Sequence, residues 1–356
     1  MHSPGPTIAD RTQGFGSRAL MLVYIANADS NEIYVMRLDS GSGAATLEQT
    51  ISVPGAAGPL AVSPNRRILY ASLRSTPFSV SSLAIDPASG RLRLVSTVPL
   101  PDNMTYLSVD KPGRFLFGAS YSGNRISINP IDGSGLVDAT PVQVVPTAPR
   151  PHSIVVDPGN HHVFVPSLGG DCILQFNLDQ TTGRVTPNVP ASVKARTGAG
   201  PRHLVFHPNH RFVYCTNELD ATVGRYRYDA TAGTLAPLGA ETLLPRTFEG
   251  KPPHAAADIH PTPDGRYLYA SERASNTIAG FAVDDQTGAL VPIGTFPTEL
   301  HPRGFRIDPL GRFLLAVGQR SNSMSLYAID ADGALSLKHR YPMGRAPNWV
   351  EIVELA

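Results

Sequence analysis

Apolar residues fall in short alternating or continuous runs along this chain, broken by turn residues, and no sustained 3.6-residue period develops. The most complete run is Gly200-Pro201-Arg202-His203-Leu204-Val205-Phe206-His207-Pro208, followed by Arg211-Phe212-Val213-Tyr214. It reads as a short strand, a Pro-Asn turn and a second strand. The outline returns at Gly58-Pro59 with Arg67-Ile68-Leu69-Tyr70, at Thr105 with Arg114-Phe115-Leu116-Phe117, and at His152 with Val163-Phe164-Val165. Later copies are Ala257-Asp258 with Arg266-Tyr267-Leu268-Tyr269, and Arg303-Gly304-Phe305 with Arg312-Phe313-Leu314-Leu315. Asn348-Trp349-Val350 opens a further copy without its second half.

A repeat of about 45–50 residues built from short strands predicts an all-β propeller with one blade per repeat. A second period sets the blade number. Asp39, Asp86, Asp132, Asp179, Asp229, Asp284 and Asp330 each precede a Gly-containing turn, at spacings of 46 to 55 residues. Asp bonds its own backbone to start such a turn, and Gly supplies the positive φ, so these are hairpin turns rather than calcium loops. Seven turns predict seven blades. The longest spacing, 55 residues, marks an insertion around Leu244 to Pro253. Strands at Met21–Ile25, Glu32–Leu38 and Leu47–Val53 precede the first full repeat, and one strand at Trp349–Val353 follows the last. Three N-terminal strands plus one C-terminal strand complete a blade and remove the open sheet edges. The propeller domain is therefore expected over residues 20–356, after a disordered tail of residues 1–19.

Composition narrows the function classes. With 356 residues and 42% apolar content the chain can bury a large core. A formal net charge of +1 gives no global field toward nucleic acid or a membrane, so electrostatic function has to be local. No apolar run reaches membrane-span length. The N-terminal segment lacks an apolar core of signal-peptide type, so a cytoplasmic protein is expected, as monomer or weak homo-oligomer. Cys172 and Cys215 stand far apart without metal-type spacing and are expected to be reduced structural thiols. Gly-x-Ser-x-Gly, Walker and His-Glu-x-x-His patterns are missing, and no spacing calls for a metal or another cofactor.

In a four-stranded antiparallel blade, the first strand starts on the face where the second ends. Equivalent positions of all blades then gather around one mouth of the central channel. Counting offsets from the repeat places Gly58, Thr105, His152, Arg202, Ala257, Arg303 and Asn348 in one ring. The next residues are Pro59, Tyr106, Ser153, His203, Asp258, Gly304 and Trp349, and the second strands end at Arg74, Tyr121, Leu168, Glu218, Arg273 and Gln319. One sector carries His152, Arg202, His203, Glu218, Arg273 and Arg303, while another carries small or apolar groups. Several cations, imidazoles and one carboxylate on one side suit a small anionic substrate. Arg202 and Glu218, in one blade, are expected within salt-bridge or one-water distance, with Glu218 ionised. His203, Asp258, Arg303, Arg74, Gln319 and, from the insertion, His254 are the expected substrate contacts. His207 and His260 are expected at strand–turn corners on the opposite face in structural roles, and His161-His162 in a solvated turn.

Gly200–Pro208, Tyr214-Cys-Thr-Asn-Glu218, Ala256–His260 with Thr262–Ala270, and Pro302-Arg-Gly-Phe305 resemble the bacterial seven-bladed 6-phosphogluconolactonases, a family that also resembles the fungal carboxy-muconate lactonising enzyme. The similarity runs from about Leu20 to Val353. It implies a lactone substrate with a negative group and a site of one His, two Arg and one Glu, which fall on His152, Arg202, Arg273 and Glu218. Hydrolysis of 6-phospho-glucono-δ-lactone, or a close anionic sugar lactone, is the expected activity. A cycloisomerase acting on a muconate-type polycarboxylate and a non-catalytic scaffold are the alternatives.

Overall fold

The computed structural model describes residues 20–250 and 253–355. The expected tail, residues 1–19, lies outside them, as do two residues of the expected insertion. The described residues form seven four-stranded antiparallel sheets. Blades 1 to 6 span residues 57–99, 106–146, 155–194, 201–242, 256–297 and 302–342. In blade 7 the strand Pro347–Leu355 is innermost, and Leu20–Asn27, Glu32–Leu38 and Ala45–Ser52 complete the sheet. Leu20 pairs with Leu355 and Asn27 with Pro347, so the ring closes with the expected three-plus-one strands. Among the described residues the only helical turn is the 3-10 segment Ala28–Ser30. The innermost strands of neighbouring blades touch around the axis.

The two sequence periods meet in the packing between blades. Each of the seven Asp-started turns has its glycine at φ between 65° and 86°. The second-strand tyrosine of one blade reaches the carbonyl of that glycine in the next. Tyr24 donates to Gly90 O at 2.9 Å, Tyr70 to Gly135 O at 2.8 Å, Tyr214 to Gly288 O at 3.1 Å and Tyr269 to Gly333 O at 2.7 Å. All four rings are fully buried. Each contributes about 1.5–3 kcal/mol by burial, and its hydroxyl finds the partner that a buried phenol requires. Gly90 is held to glycine twice over, by its φ and by Leu22, into which a Cβ would run.

The innermost strands carry the feature that builds the site. In blade 4 Pro201 pairs with Asn217 but Leu204 with Cys215, so one extra residue is inserted between them. Blades 1 and 5 repeat the irregularity between Ala57 and Leu60 and between Ala256 and Ile259. A bulge of this kind breaks strict alternation. Arg202 and His203 are consecutive, yet both enter the buried polar interior of the ring.

Cys172 and Cys215 are free and buried, as expected. His162 departs from its expected solvated turn. It lies in the strand His162–Ser167, buried, with Nδ1 3.4 Å from the Tyr228 hydroxyl. The strand begins at this residue, so only His161 remains outside, bonded through Nδ1 to Gln180.

Candidate active site

Glu218 stands just past the strand Phe212–Asn217, fixed by its amide donating to Gly200 O at 2.8 Å. Arg202 Nε lies 2.9 Å from Glu218 Oε2, and Arg273 Nη2 lies 3.0 Å from the same oxygen. The Arg202 contact is an ion pair rather than an aligned hydrogen bond, and Arg202 Nη1 is buried with no protein partner. Arg273, from the equivalent strand end of blade 5, is anchored at its stem, with Nε donating to Ala255 O at 2.9 Å. Both guanidiniums use Oε2, so Oε1 has no protein partner among the described residues. Arg202 is only 1% exposed. A buried cation beside a partly exposed carboxylate has been desolvated at considerable cost, which geometry of this kind offsets only in part.

The electrostatics follow. Burial raises the pKa of Glu218, but Arg202, Arg273 and Arg303 outweigh it and hold the carboxyl below its ordinary value. Burial, then Arg202, His203, Arg303 and Arg273, push the His152 imidazolium pKa well below the usual histidine range. His152 is therefore a neutral imidazole at neutral pH, with Nδ1 buried and unpartnered. Burial first, then Arg202, Arg273 and Arg74, makes the charge on Arg303 costly in the same way.

A small cavity adjoins this cluster, lined by Gly58, Pro59, Arg74, Thr105, Arg202, Arg303, Asn348 and Trp349. Arg74 arrives from the second strand of blade 1 and Arg303 from the innermost strand of blade 6.

Deeper in the channel His203 Nδ1 meets Asp258 Oδ1 at 2.9 Å, and His260 Nε2 meets Asp258 Oδ2 at 3.2 Å. The Ile259 amide donates to Oδ1 and the Phe305 amide to Oδ2. Against the penalty of burial, the two histidines hold Asp258 well below its ordinary pKa. An ionised Asp258 makes His203 Nδ1 and His260 Nε2 donors, leaving His203 Nε2 as a buried unpartnered acceptor. The chain continues through Arg306, whose Nη1 lies 3.4 Å from His260 Nδ1 and Nη2 3.2 Å from Glu351 Oε2. Trp349 Nε1 closes it by donating to Glu351 Oε1 at 3.0 Å. The rings of Tyr106, His152 and Trp349 pack edge-on or tilted around His203 at 5.1 to 5.8 Å.

Of the residues singled out in the sequence, His152, Arg202, Glu218, Arg273, Arg303 and Arg74 converge on the same mouth, and His203 lies deeper with Asp258. Asp258 is buried there too, but both its oxygens are occupied by protein donors, which departs from its expected place as a substrate contact. The Gln319 backbone amide donates to His301 O, and the His254 ring faces Phe248 at 6.3 Å with Nδ1 buried and unpartnered. His207 is structural as expected, with Nε2 2.8 Å from Gly265 O. His260 lines the opposite mouth as expected but also reaches inward to Asp258. His301 was not visible in the repeat because it sits in the turn before the innermost strand of blade 6. Burial, then Arg273 and Arg320, lower its pKa to about 4. Larger cavities of about 370 and 540 Å³ open at the opposite mouth. Arg306, which lines both, is paired with Glu351, which lines the smaller.

Comparison with known proteins finds relatives along nearly the whole chain. Residues 20–352 match the family model described as lactonase, 7-bladed beta-propeller. A 6-phosphogluconolactonase of Yersinia pestis (strain Pestoides F) is 43% identical over 331 residues, covering 93% of this chain and 97% of that protein. One from Serratia proteamaculans is 41% identical over 93% of this chain and 98% of its own length. Among solved structures, the periplasmic gluconolactonase of Pseudomonas aeruginosa superposes with a TM-score of 0.85 at 28% identity, over 95% of this chain and 100% of that one.

Proposed function

This chain belongs to the seven-bladed β-propeller lactonase family, and from that premise we propose that it hydrolyses 6-phospho-D-glucono-1,5-lactone to the open-chain acid. The observation that carries the reading is Glu218, ionised between two buried guanidiniums and open at Oε1, beside a neutral His152 and two further arginines. Water attacks the lactone carbonyl carbon as Glu218 Oε1 takes its proton. The carbonyl π electrons move to oxygen, where the free Nη1 of Arg202 meets the developing negative charge. When the intermediate collapses, the bond to the ring oxygen breaks, and the departing oxygen takes the proton that Glu218 accepted. The acid product then ionises and releases one proton to solvent. His152, held neutral, orients the water without competing as a cation. Asp258 is assigned to His203, not to substrate. Among the described residues no helix is long and apolar enough to cross a membrane. A phosphorylated lactone does not cross a bilayer unaided, so we assign the reaction to the cytoplasm, with the site complete in one chain.

The test is proton release from the phosphorylated lactone in a pH-stat at neutral pH with chelator present. Catalysis above the spontaneous rate is the expected result, and its absence overturns the reading. Rapid turnover of a muconate-type substrate, followed by ultraviolet absorbance, would move the assignment to a cycloisomerase.

A further inference from the structure

Four arginines share this mouth, and they divide into two kinds. Arg202 and Arg273 are tied to Glu218. Arg303 and Arg74 have no ion-pair partner among the described residues, and Arg303 feels Arg202, Arg273 and Arg74 as like charges before it feels Glu218. Asp29 acts on Arg74 only at longer range. The cavity between Arg303, Arg74 and Arg202 is small, about 10 Å³ or room for one water, and Glu218 is not part of its wall, while half-buried Arg74 is. Unneutralised guanidiniums crowded on one cavity are stable only if an anion completes them.

We propose that Arg303 and Arg74 form a phosphate subsite, separate from the Glu218 reaction centre and joined to it by Arg202. The proposal rests on the lactonase reading and specifies which part of the substrate each arginine holds. Gly58 is the second observation. It occupies the ring position that carries Thr105, His152 and Arg202 in the following three blades. A Cβ on Gly58 would lie 3.0 Å from both Cγ and Cδ of Arg74. The missing side chain is what lets the Arg74 stem lie across blade 1 toward the axis. Two planar forks match phosphate oxygens in pairs, and two charges balance a phosphate monoester of about −1.5 to −2 at neutral pH. Arg202 touches Glu218 and also walls the cavity. The substrate carbonyl and its C6 phosphate, at opposite ends of the sugar, then meet Arg202 from its two sides, the phosphate on the side of Arg303 and half-buried Arg74.

Steady-state kinetics on 6-phosphogluconolactone and on unphosphorylated glucono-δ-lactone test the assignment, using the full chain, Arg303→Gln and Arg74→Gln. Each variant should raise KM for the phosphorylated lactone by at least tenfold. The preference for it over the unphosphorylated one should fall by a similar factor. Competitive inhibition by inorganic phosphate should weaken in parallel. An unchanged preference in both variants, or unchanged phosphate inhibition, overturns the subsite. Arg74 is half-buried at the rim, so its variant tests the idea even if Arg303→Gln misfolds. Should the wild type hydrolyse neither lactone, the functional reading fails by itself. Calorimetric binding of inorganic phosphate then decides the subsite: weaker binding in Arg74→Gln supports it, and equal binding overturns it.

Discussion

At the channel mouth, Arg202, Arg273, Arg303 and Arg74 stand around one carboxylate, Glu218. One layer deeper, Asp258 and Glu351 are divided among His203, His260, Arg306 and Trp349, with nearly every polar atom taken. The deep cluster comes wholly from the innermost strands, whereas at the mouth Arg202 and Arg303 come from those strands and Glu218, Arg273 and Arg74 follow the second strands. Apart from His203 Nε2, the deep network satisfies the rule that buried polar groups find partners, and it ties the innermost strands of blades 4, 5, 6 and 7 together across the axis. The mouth breaks the rule, with a partnerless guanidinium nitrogen on Arg202 and two arginines without counter-ions. Matched charge in the interior is explained by structure. Charge in excess of the one carboxylate, as on Arg303 and Arg74, is explained by a ligand.

The contrast is broken most directly by removing one carboxylate from each cluster. Glu218→Gln keeps shape and loses the proton acceptor, so kcat should fall by about 10³-fold while affinity for the anion is unchanged or tighter. Asp258→Asn strips the charge from between two histidines. It should cost about 3–5 kcal/mol of stability, the usual consequence of breaking a buried pair, read as a lower denaturation midpoint in urea. If the Glu218 variant unfolds while the Asp258 variant merely slows turnover, the assignment of the two clusters is reversed. Arg202→Lys keeps the charge but loses the planar fork that spans Glu218 and the cavity. Its kcat should drop by about tenfold or more with the denaturation midpoint near that of the wild type.

How much of this was legible before the structure depended on what local chemistry can encode. The Asp–Gly turns repeat because each turn must solve the same hairpin, so the blade count could be read from residue type alone. Arg202 and Glu218 were readable as neighbours because an antiparallel pair brings a strand start beside the next strand end. Offsets locate a Cα, however, and not the direction of its side chain. The register shift between Ala256 and Ile259, in the strand that carries both Asp258 and His260, is announced by no residue type. The same limit hid the four donors on Asp258, which come from three blades. Arg74 was found by counting, but its reach depends on the empty space over Gly58, a relation between two strands that only packing reveals. His301 lies in a connection, where the repeat carries no register.

The smallest expected effect is on pH dependence, and its flatness is informative. Glu218, held below its ordinary pKa by the arginines despite burial, is ionised throughout the neutral range. A base of this kind is active above its pKa and is lost only as pH falls through that depressed value. His152 sits well below the usual histidine range, and burial with Arg202 lowers His203 to about 4. Neither imidazole gains a proton between pH 6.5 and 8. With the spontaneous rate subtracted, kcat/KM on unphosphorylated lactone should therefore vary by less than about twofold over that window. The phosphorylated lactone carries its own titration, since the second phosphate pKa lies at about 6. A subsite of two guanidiniums prefers the dianion, so kcat/KM should decline below about pH 6 for this substrate alone. A shared inflection near the ordinary histidine pKa in both profiles would mean that a histidine titrates normally beside the arginines. That outcome is incompatible with four guanidiniums crowded around a single carboxylate.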